Sequence, residues 1–273
     1  MSPEEMVALL RCSRKYGSLC DETLLRITKW AMGGSSSTKQ ALKRAKRKLH
    51  QISGAYITPA NQRRIDGLLD SLAPDAPGEE IWALCRGILG FHASTRERLP
   101  YLRETYREIF DGATTILDLA CGLNPFALPW MNLPAGARYT PVDMDCGLVG
   151  KIKRLLRVLS RADTAQCVDL LSSPPTESYD LILLLKALPC LERQERGASL
   201  HLLTKLRAPR IVVSFPNRSL GGHRRGMEAG YSRFMQGLVK DMTSVKDMTS
   251  VKDMTLVKAF STPSEVFFIL TFS

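Results

Sequence analysis

Two rhythms divide the chain. Up to residue 110, apolar positions recur every three or four residues, as in "PEEMVALLRCSRKYG" (3–17), "DETLLRITKWAM" (21–32), "TKQALKRAKRKLHQISG" (38–54), "GEEIWALCRGILGFHA" (78–93) and "RERLPYLRETYREIF" (96–110). That spacing gives a helix one buried stripe. The breakers "GGSSS" (33–37), "TP" (58–59) and "APDAPG" (73–78) separate the runs, so residues 1–110 are expected to form a helical domain. From Thr114 the rhythm shortens. "TTILDLA" (114–120), "RYTPVDM" (138–144), "TAQCVDL" (164–170), "YDLILLL" (179–185), "RIVVSFP" (210–216) and "EVFFILTF" (265–272) read as strands. Helical stretches at 147–161 and 192–207 lie between them, which predicts an α/β doubly wound, largely parallel sheet over residues 111–273.

Residues 239–256, "VKDMTSVKDMTSVKDMTL", follow neither rhythm. They are three tandem hexapeptides with the last residue changed. So short and polar a unit cannot stack into a solenoid, and a surface insertion is expected.

Charge changes the picture of the helical half. Between Arg11 and Arg64 stand thirteen Lys or Arg against two acids, a local excess equal to the +11 of the whole chain. The cluster "KRAKRKLH" (43–50) places Lys43, Arg44, Lys46, Arg47 and Lys48 within two helical turns. A patch this dense is expected to contact nucleic-acid phosphates rather than merely face water. The seven cysteines are scattered, with no CxxC pair and no histidine at zinc-finger spacing, so reduced thiols and no metal are expected. The apolar runs are short and the N-terminus lacks the order of a secretory signal, so the expectation is a cytoplasmic protein with no membrane span.

In an open parallel sheet the ligand sits beyond the carboxyl ends of the strands. There the chain carries Asp118, Ala120, Gly122 and Asn124, then Asp143 and Asp145, then Asp169, then Lys186. Asp143 follows Asp118 by 25 residues, close to the spacing at which a carboxylate accepts from a ribose. Nicotinamide and S-adenosylmethionine enzymes share that arrangement. "LACGLNP" (119–125) lacks the glycines that bring a helix N-terminus against a pyrophosphate, which favours the donor without a phosphate. Asp169 in "VDLL" is placed to accept from an exocyclic adenine amine. Ahead of the first strand, Ser94 and Glu97 form an S-x-x-E capping box that puts Arg96 and Arg98 in the first turns of a helix. Cations are disfavoured there, so a guanidinium pairing with the donor's carboxylate is expected.

"KYGSLC" (15–20), "LHQISGAY" (49–56), "HASTRERLPYL" (92–102), "LDLACGLNP" (117–125), "LLLKALPCLE" (183–192) and "SFPNRSLGGHRRGMEAGYS" (214–232) together closely resemble the aminoglycoside-resistance 16S rRNA guanine-N7 methyltransferases. The resemblance implies a Rossmann-like S-adenosylmethionine-dependent methyltransferase sheet behind a helical, rRNA-docking N-terminal domain. It implies methylation of N7 of a decoding-site guanine of 16S rRNA in the 30S subunit, with S-adenosyl-L-homocysteine as product. A monomer is expected. Carried over by motif, Arg98, Asp118, Ala120, Gly122, Asp143, Asp169, Leu170 and Lys186 fall at cofactor-pocket positions, and Glu192, with Lys186, falls near the target base.

Guanine N7 has a lone pair and no proton to lose, so such a transfer needs no general base, and Glu192 is expected to orient or stabilise the base. The loop 218–233, with Arg218, Arg224 and Arg225, is expected to hold the displaced strand. Two rivals stand beside this reading. Cys190 after the fourth strand stands where RNA cytosine-C5 methyltransferases present a thiolate, and a non-enzymatic RNA-binding protein would carry the same basic patch.

Overall fold

The stripes of the first fifty residues close on one another. Helices α1 (Pro3–Arg11), α2 (Asp21–Gly33) and α3 (Thr38–Ile52) bury Met6, Leu10, Leu24, Ile27, Ala45 and Leu49 in a core of their own. The computed structural model describes residues 1–52, 57–73, 76–110, 112–162, 164–217, 227–245 and 254–272. Helices α4 (Pro59–Asp70), α5 (Gly78–Leu89), the short α6 (Ala93–Arg96) and α7 (Leu102–Phe110) complete the helical run. Ile65, Leu84, Ile88, Tyr106 and Ile109 pack into one core with Ile116, Leu181, Leu183 and Val212 of the sheet. The division between cores therefore falls between α3 and α4, earlier than the change of rhythm at residue 110.

Helix α4 falls in a span where the apolar pattern predicts no helix. Thr58-Pro59 is a helix start rather than a breaker: the Thr58 hydroxyl accepts from Asn61 N–H and proline occupies the first turn.

Strands β1 (Thr115–Leu119), β2 (Arg138–Asp143), β3 (Gln166–Cys167), β4 (Leu181–Leu185), β5 (Arg210–Pro216), β6 (Met254–Ser261) and β7 (Glu265–Phe272) form one sheet in the order β3-β2-β1-β4-β5-β7-β6. β1 pairs in parallel with β2 (Leu117↔Thr140) and with β4 (Leu117↔Ile182), so the chain reverses its lateral direction at β1. β7 runs antiparallel to both β5 and β6. On the first face lie α8 (Leu128–Met131) and α9 (Cys146–Val158); on the second lie α10 (Leu188–Gln194), α11 (Ala198–Leu203) and α12 (Met227–Val245). The expected single helix over 192–207 is broken at Gly197, whose φ of 83° is left-handed.

The hexapeptide repeat does not form a separate appendage at its ends. Its first copy continues α12, with Met242 buried in the core, and the last residues of its third copy open β6. Copies of one hexapeptide thus begin in a helix and end in a strand.

The expectation of reduced thiols fails at one pair. Cys146 and Cys167 form a disulfide, because the β2–β3 register sets Asp143 opposite Cys167 and brings it to the turn before α9, with Cα atoms 5.1 Å apart. Cysteine counting weighs compartments and cannot see such proximity. Away from the carboxyl ends, Trp82 and Trp130 pack with ring centroids 4.7 Å apart, and the Arg103 guanidinium lies over Trp82.

Candidate active site

Strand order reverses at β1, and in open sheets of this kind the ligand crevice lies beyond the carboxyl ends of the strands at that switch point, here β1 and β4. Two non-glycine residues sit there in the left-handed region, Ala120 (φ 50°) after β1 and Lys186 (φ 57°) after β4. Backbone held in that region costs energy and clusters at functional sites. Gly122 follows at φ 51°, and its N–H donates to Asp143 Oδ2 at 2.9 Å, tying the β1 loop to the end of β2. Asp143 Oδ1 accepts from Asp145 N–H at 3.0 Å, and the half-buried carboxylate keeps further acceptor sites.

Asp118 is fully buried. Its Oδ2 accepts from Asn124 Nδ2 at 2.8 Å and from the Tyr139 hydroxyl, while its Oδ1 has no partner among the described residues. Burial pushes both Asp118 and Asp143 up to about 6. Asn124 Oδ1 in turn accepts from Arg98 Nη1 at 2.7 Å and from the Tyr106 hydroxyl.

The guanidinium of Arg98 is committed within the protein. It meets Glu265 in a fork, Nε to Oε2 at 2.9 Å and Nη2 to Oε1 at 2.6 Å. Lys186 Nζ stands 3.5 Å from Glu265 and donates to Ser94 O at 3.1 Å. Burial opposes the Glu265 charge, yet Arg98 and Lys186 hold that carboxyl below its ordinary range. Lys186 Nζ also stands 3.8 Å from Glu97, so two cations face two carboxylates at this corner, of which only Glu265 is fully buried. The capping box expected at Ser94 and Glu97 is absent: His92 caps α6 by accepting from Ser94 N–H, and Glu97 stands at the other end of the four-residue helix. Arg96 and Arg98 are accordingly in and after its last turn, where cations are favoured.

Asp169 is 2% exposed and engaged from the N-terminal helices: its Oδ2 accepts from Thr23 Oγ1 at 2.8 Å and from Arg26 Nε at 2.9 Å. Its Oδ1 accepts from Leu171 N–H at 2.9 Å. The neighbouring Leu170 is buried among Leu117, Leu119 and Val142. Glu192, expected beside the base, is held by the next helix, each oxygen accepting a backbone N–H, from Gly197 at 2.9 Å and Ser199 at 2.8 Å. Cys190 is half-buried, and its thiol donates to Lys186 O.

In the basic cluster, Lys43, Lys46 and Arg47 are exposed. Arg44 and Lys48 are half-buried against Trp30, the guanidinium 4.1 Å and the ammonium 5.4 Å from its ring centroid. Lys48 Nζ also donates to Arg193 O in α10 at 2.7 Å, which fixes the basic helix beside the segment that follows β4. Arg218, Arg224 and Arg225 lie outside the described residues. Glu265, Tyr106, Tyr139, Thr23 and Arg26 join the site without having been expected from the sequence. For Glu265 a signal existed: an acid opening the otherwise apolar run "EVFFILTF".

With this geometry in hand, comparison decides the family. The model of the ribosomal RNA methyltransferase (FmrO) family matches residues 12–257. The chain belongs to that family. Its relatives include the 16S rRNA (guanine(1405)-N(7))-methyltransferase of Micromonospora echinospora, 39% identical over 84% of this chain and 86% of the relative. The enzyme of the same name from Serratia marcescens is 38% identical over 87% and 90%. Among solved structures, 16S rRNA methyltransferase RmtF in complex with S-adenosyl-L-homocysteine superimposes with a TM-score of 0.82 at 31% identity, covering 100% of both chains. The 16S rRNA methylase RmtB gives 0.80 at 29%, covering 100% of this chain and 99% of its own. The Rossmann-like sheet with helices before it is thus the fold of an FmrO-family methyltransferase.

Proposed function

We propose that the chain methylates N7 of a guanine in the decoding site of 16S rRNA, in the 30S subunit, with S-adenosyl-L-methionine as donor, and so confers aminoglycoside resistance. The relatives' names give that guanine the number 1405. The observation that carries the cofactor assignment is Asp118 Oδ1, a fully buried carboxylate oxygen at the switch point without a partner among the described residues. Such an atom is costly unless a donor reaches it, and the ammonium of a methionine moiety is one. The other residues fit as well: the β1 loop brings backbone close at Ala120 and Gly122, and Asp143 keeps acceptor sites for a ribose. Arg98 and Lys186 are the cations at this corner that would meet the donor's carboxylate.

Bound S-adenosyl-L-methionine supplies an electrophilic methyl group on sulfur. The chain's task is then to hold the guanine in line with it, because N7 offers a lone pair and releases no proton. Lys186 and Glu192 flank the place where the base arrives. Glu192, anchored through α11, orients the base with the acceptor sites its two backbone bonds leave free. The exposed Lys43, Lys46 and Arg47 take rRNA phosphates.

The test is base-specific mapping of 16S rRNA from cells expressing the protein. Strand scission at an N7-methylated guanine is expected, and its absence in cells with soluble protein refutes the assignment. Methyl transfer from labelled S-adenosyl-L-methionine to 30S subunits separates an enzyme from an inert RNA binder. Activity of Cys190→Ala is expected to match the parent, since no thiolate addition is needed at N7.

A further inference from the structure

The N-terminal helices and the cofactor crevice are joined by bonds to which methyl transfer itself gives no role. Ser18–Cys20 lies along the loop that follows β2: Leu19 and Asp145 form an antiparallel bridge, Cys146 N–H donates to Ser18 O at 2.7 Å, and Cys20 N–H donates to Met144 O at 2.9 Å. One turn further, Thr23 and Arg26 of α2 both donate to Asp169 Oδ2, and Arg26 Nη2 donates to Gln194 Oε1 of α10 at 2.8 Å. The helices that carry the basic cluster therefore grip the loops after β2 and β3 and the helix after β4.

We propose that Thr23, Arg26 and Asp169 form a latch that couples docking of rRNA on α2–α3 to binding of the cofactor's adenosine end. The inference rests on the cofactor placement proposed above. Thr23 is fully buried, Asp169 nearly so, and the Arg26 side chain is 19% exposed. Separating a buried carboxylate from a hydroxyl and a guanidinium leaves an unpaired charge, so Asp169 moves with α2 rather than apart from it. With Oδ2 taken twice and Oδ1 taken once by Leu171, the carboxylate has one acceptor site left for an exocyclic adenine amine. Whatever fixes α2 from the RNA side also fixes that site, and linkage requires the effect to run equally in both directions. Thr23 and Arg26 are thus positioning residues that act through Asp169.

The experiment uses the full-length protein, isolated 30S subunits and S-adenosyl-L-homocysteine. Affinity for 30S subunits is measured with and without saturating S-adenosyl-L-homocysteine for the parent, Arg26→Gln and Thr23→Val. In the parent the ratio of the two affinities is expected to differ from one by at least about fivefold. In both variants it falls toward one. Taking the ratio cancels any direct pairing of Arg26 with an rRNA phosphate, and Thr23→Val keeps both charge and shape, so it carries the test if Arg26→Gln folds poorly. Ratios equal in all three proteins overturn the latch, as does a ratio of one in a parent that binds S-adenosyl-L-homocysteine. A folded parent with no affinity for S-adenosyl-L-homocysteine overturns the cofactor placement, and the latch with it.

Discussion

Asp118 and Asp143 set the pH behaviour of the crevice, because burial raises both to about 6. On the cofactor placement proposed above, donor binding needs the ionised forms, one for an ammonium and one for ribose hydroxyls. Affinity for S-adenosyl-L-homocysteine is therefore expected to rise with pH through about 6, with protons released on binding, as calorimetry in buffers of different ionisation heat reads directly. Stability without ligand goes the other way. A folded-state value above the ordinary 3.8 means the native chain holds protons that the unfolded chain has released, so these groups' contribution is lost as pH rises from about 4 through about 6. Denaturant midpoints that rise over that window would contradict the assignment. These two acids and Gly122 were legible in the sequence because position at a strand end follows from local pattern. Glu265 stood out only as an acid opening an apolar run, and its pairing was not legible, since Arg98 lies 167 residues away and only the closed sheet brings them together. The disulfide is legible to chemistry in a simpler way: titration of unreduced, denatured protein is expected to count five free thiols among the seven cysteines.

The corner between α10 and α11 gives Glu192 a structural duty beside the catalytic one proposed above. Gly197 and Ser199 donate to its oxygens, satisfying amides at the start of α11, and such a cap is worth about 1 kcal/mol. Glu192→Gln puts an amide N–H₂ against a backbone donor, so a loss of stability of about 1 kcal/mol is expected by chemical denaturation. The catalytic duty predicts reduced turnover on 30S subunits at unchanged affinity for S-adenosyl-L-homocysteine. A fall in stability with full turnover would leave Glu192 as a cap alone. At this scale the sequence spoke clearly where residues alternate, and six of the seven strands were expected near their observed places. It was silent on β6, whose first residues repeat a hexapeptide that is helical in its first copy, so local propensity cannot choose between the two states. It misread α4 because Thr58-Pro59 signals a stop and a start equally well.

Net charge belongs to the whole molecule, and its localisation between residues 11 and 64 was the most legible functional feature. In the fold the cluster divides into three exposed cations and two that serve the packing of Trp30. Reversing Lys43, Lys46 and Arg47 to Glu is expected to weaken 30S binding and to flatten its dependence on salt, by about one unit of log–log slope for each phosphate interaction abolished. An unchanged slope in binding assays from low to high salt would place the docking surface elsewhere. Thermal stability is expected to change little, because all three side chains face solvent. What composition could not reveal is that α2 and α3, which lie under this surface, are bonded to the segment after β3 and to α10, by hydrogen bonds between residues more than a hundred positions apart.

The setting of Trp30 has a spectroscopic consequence. The chain has three tryptophans; two pack together on α5 and α8, while Trp30 stands partly exposed between Arg44 and Lys48. A protein with Trp82 and Trp130 replaced by Phe would emit from Trp30 alone, giving docking a built-in optical reporter without any attached dye.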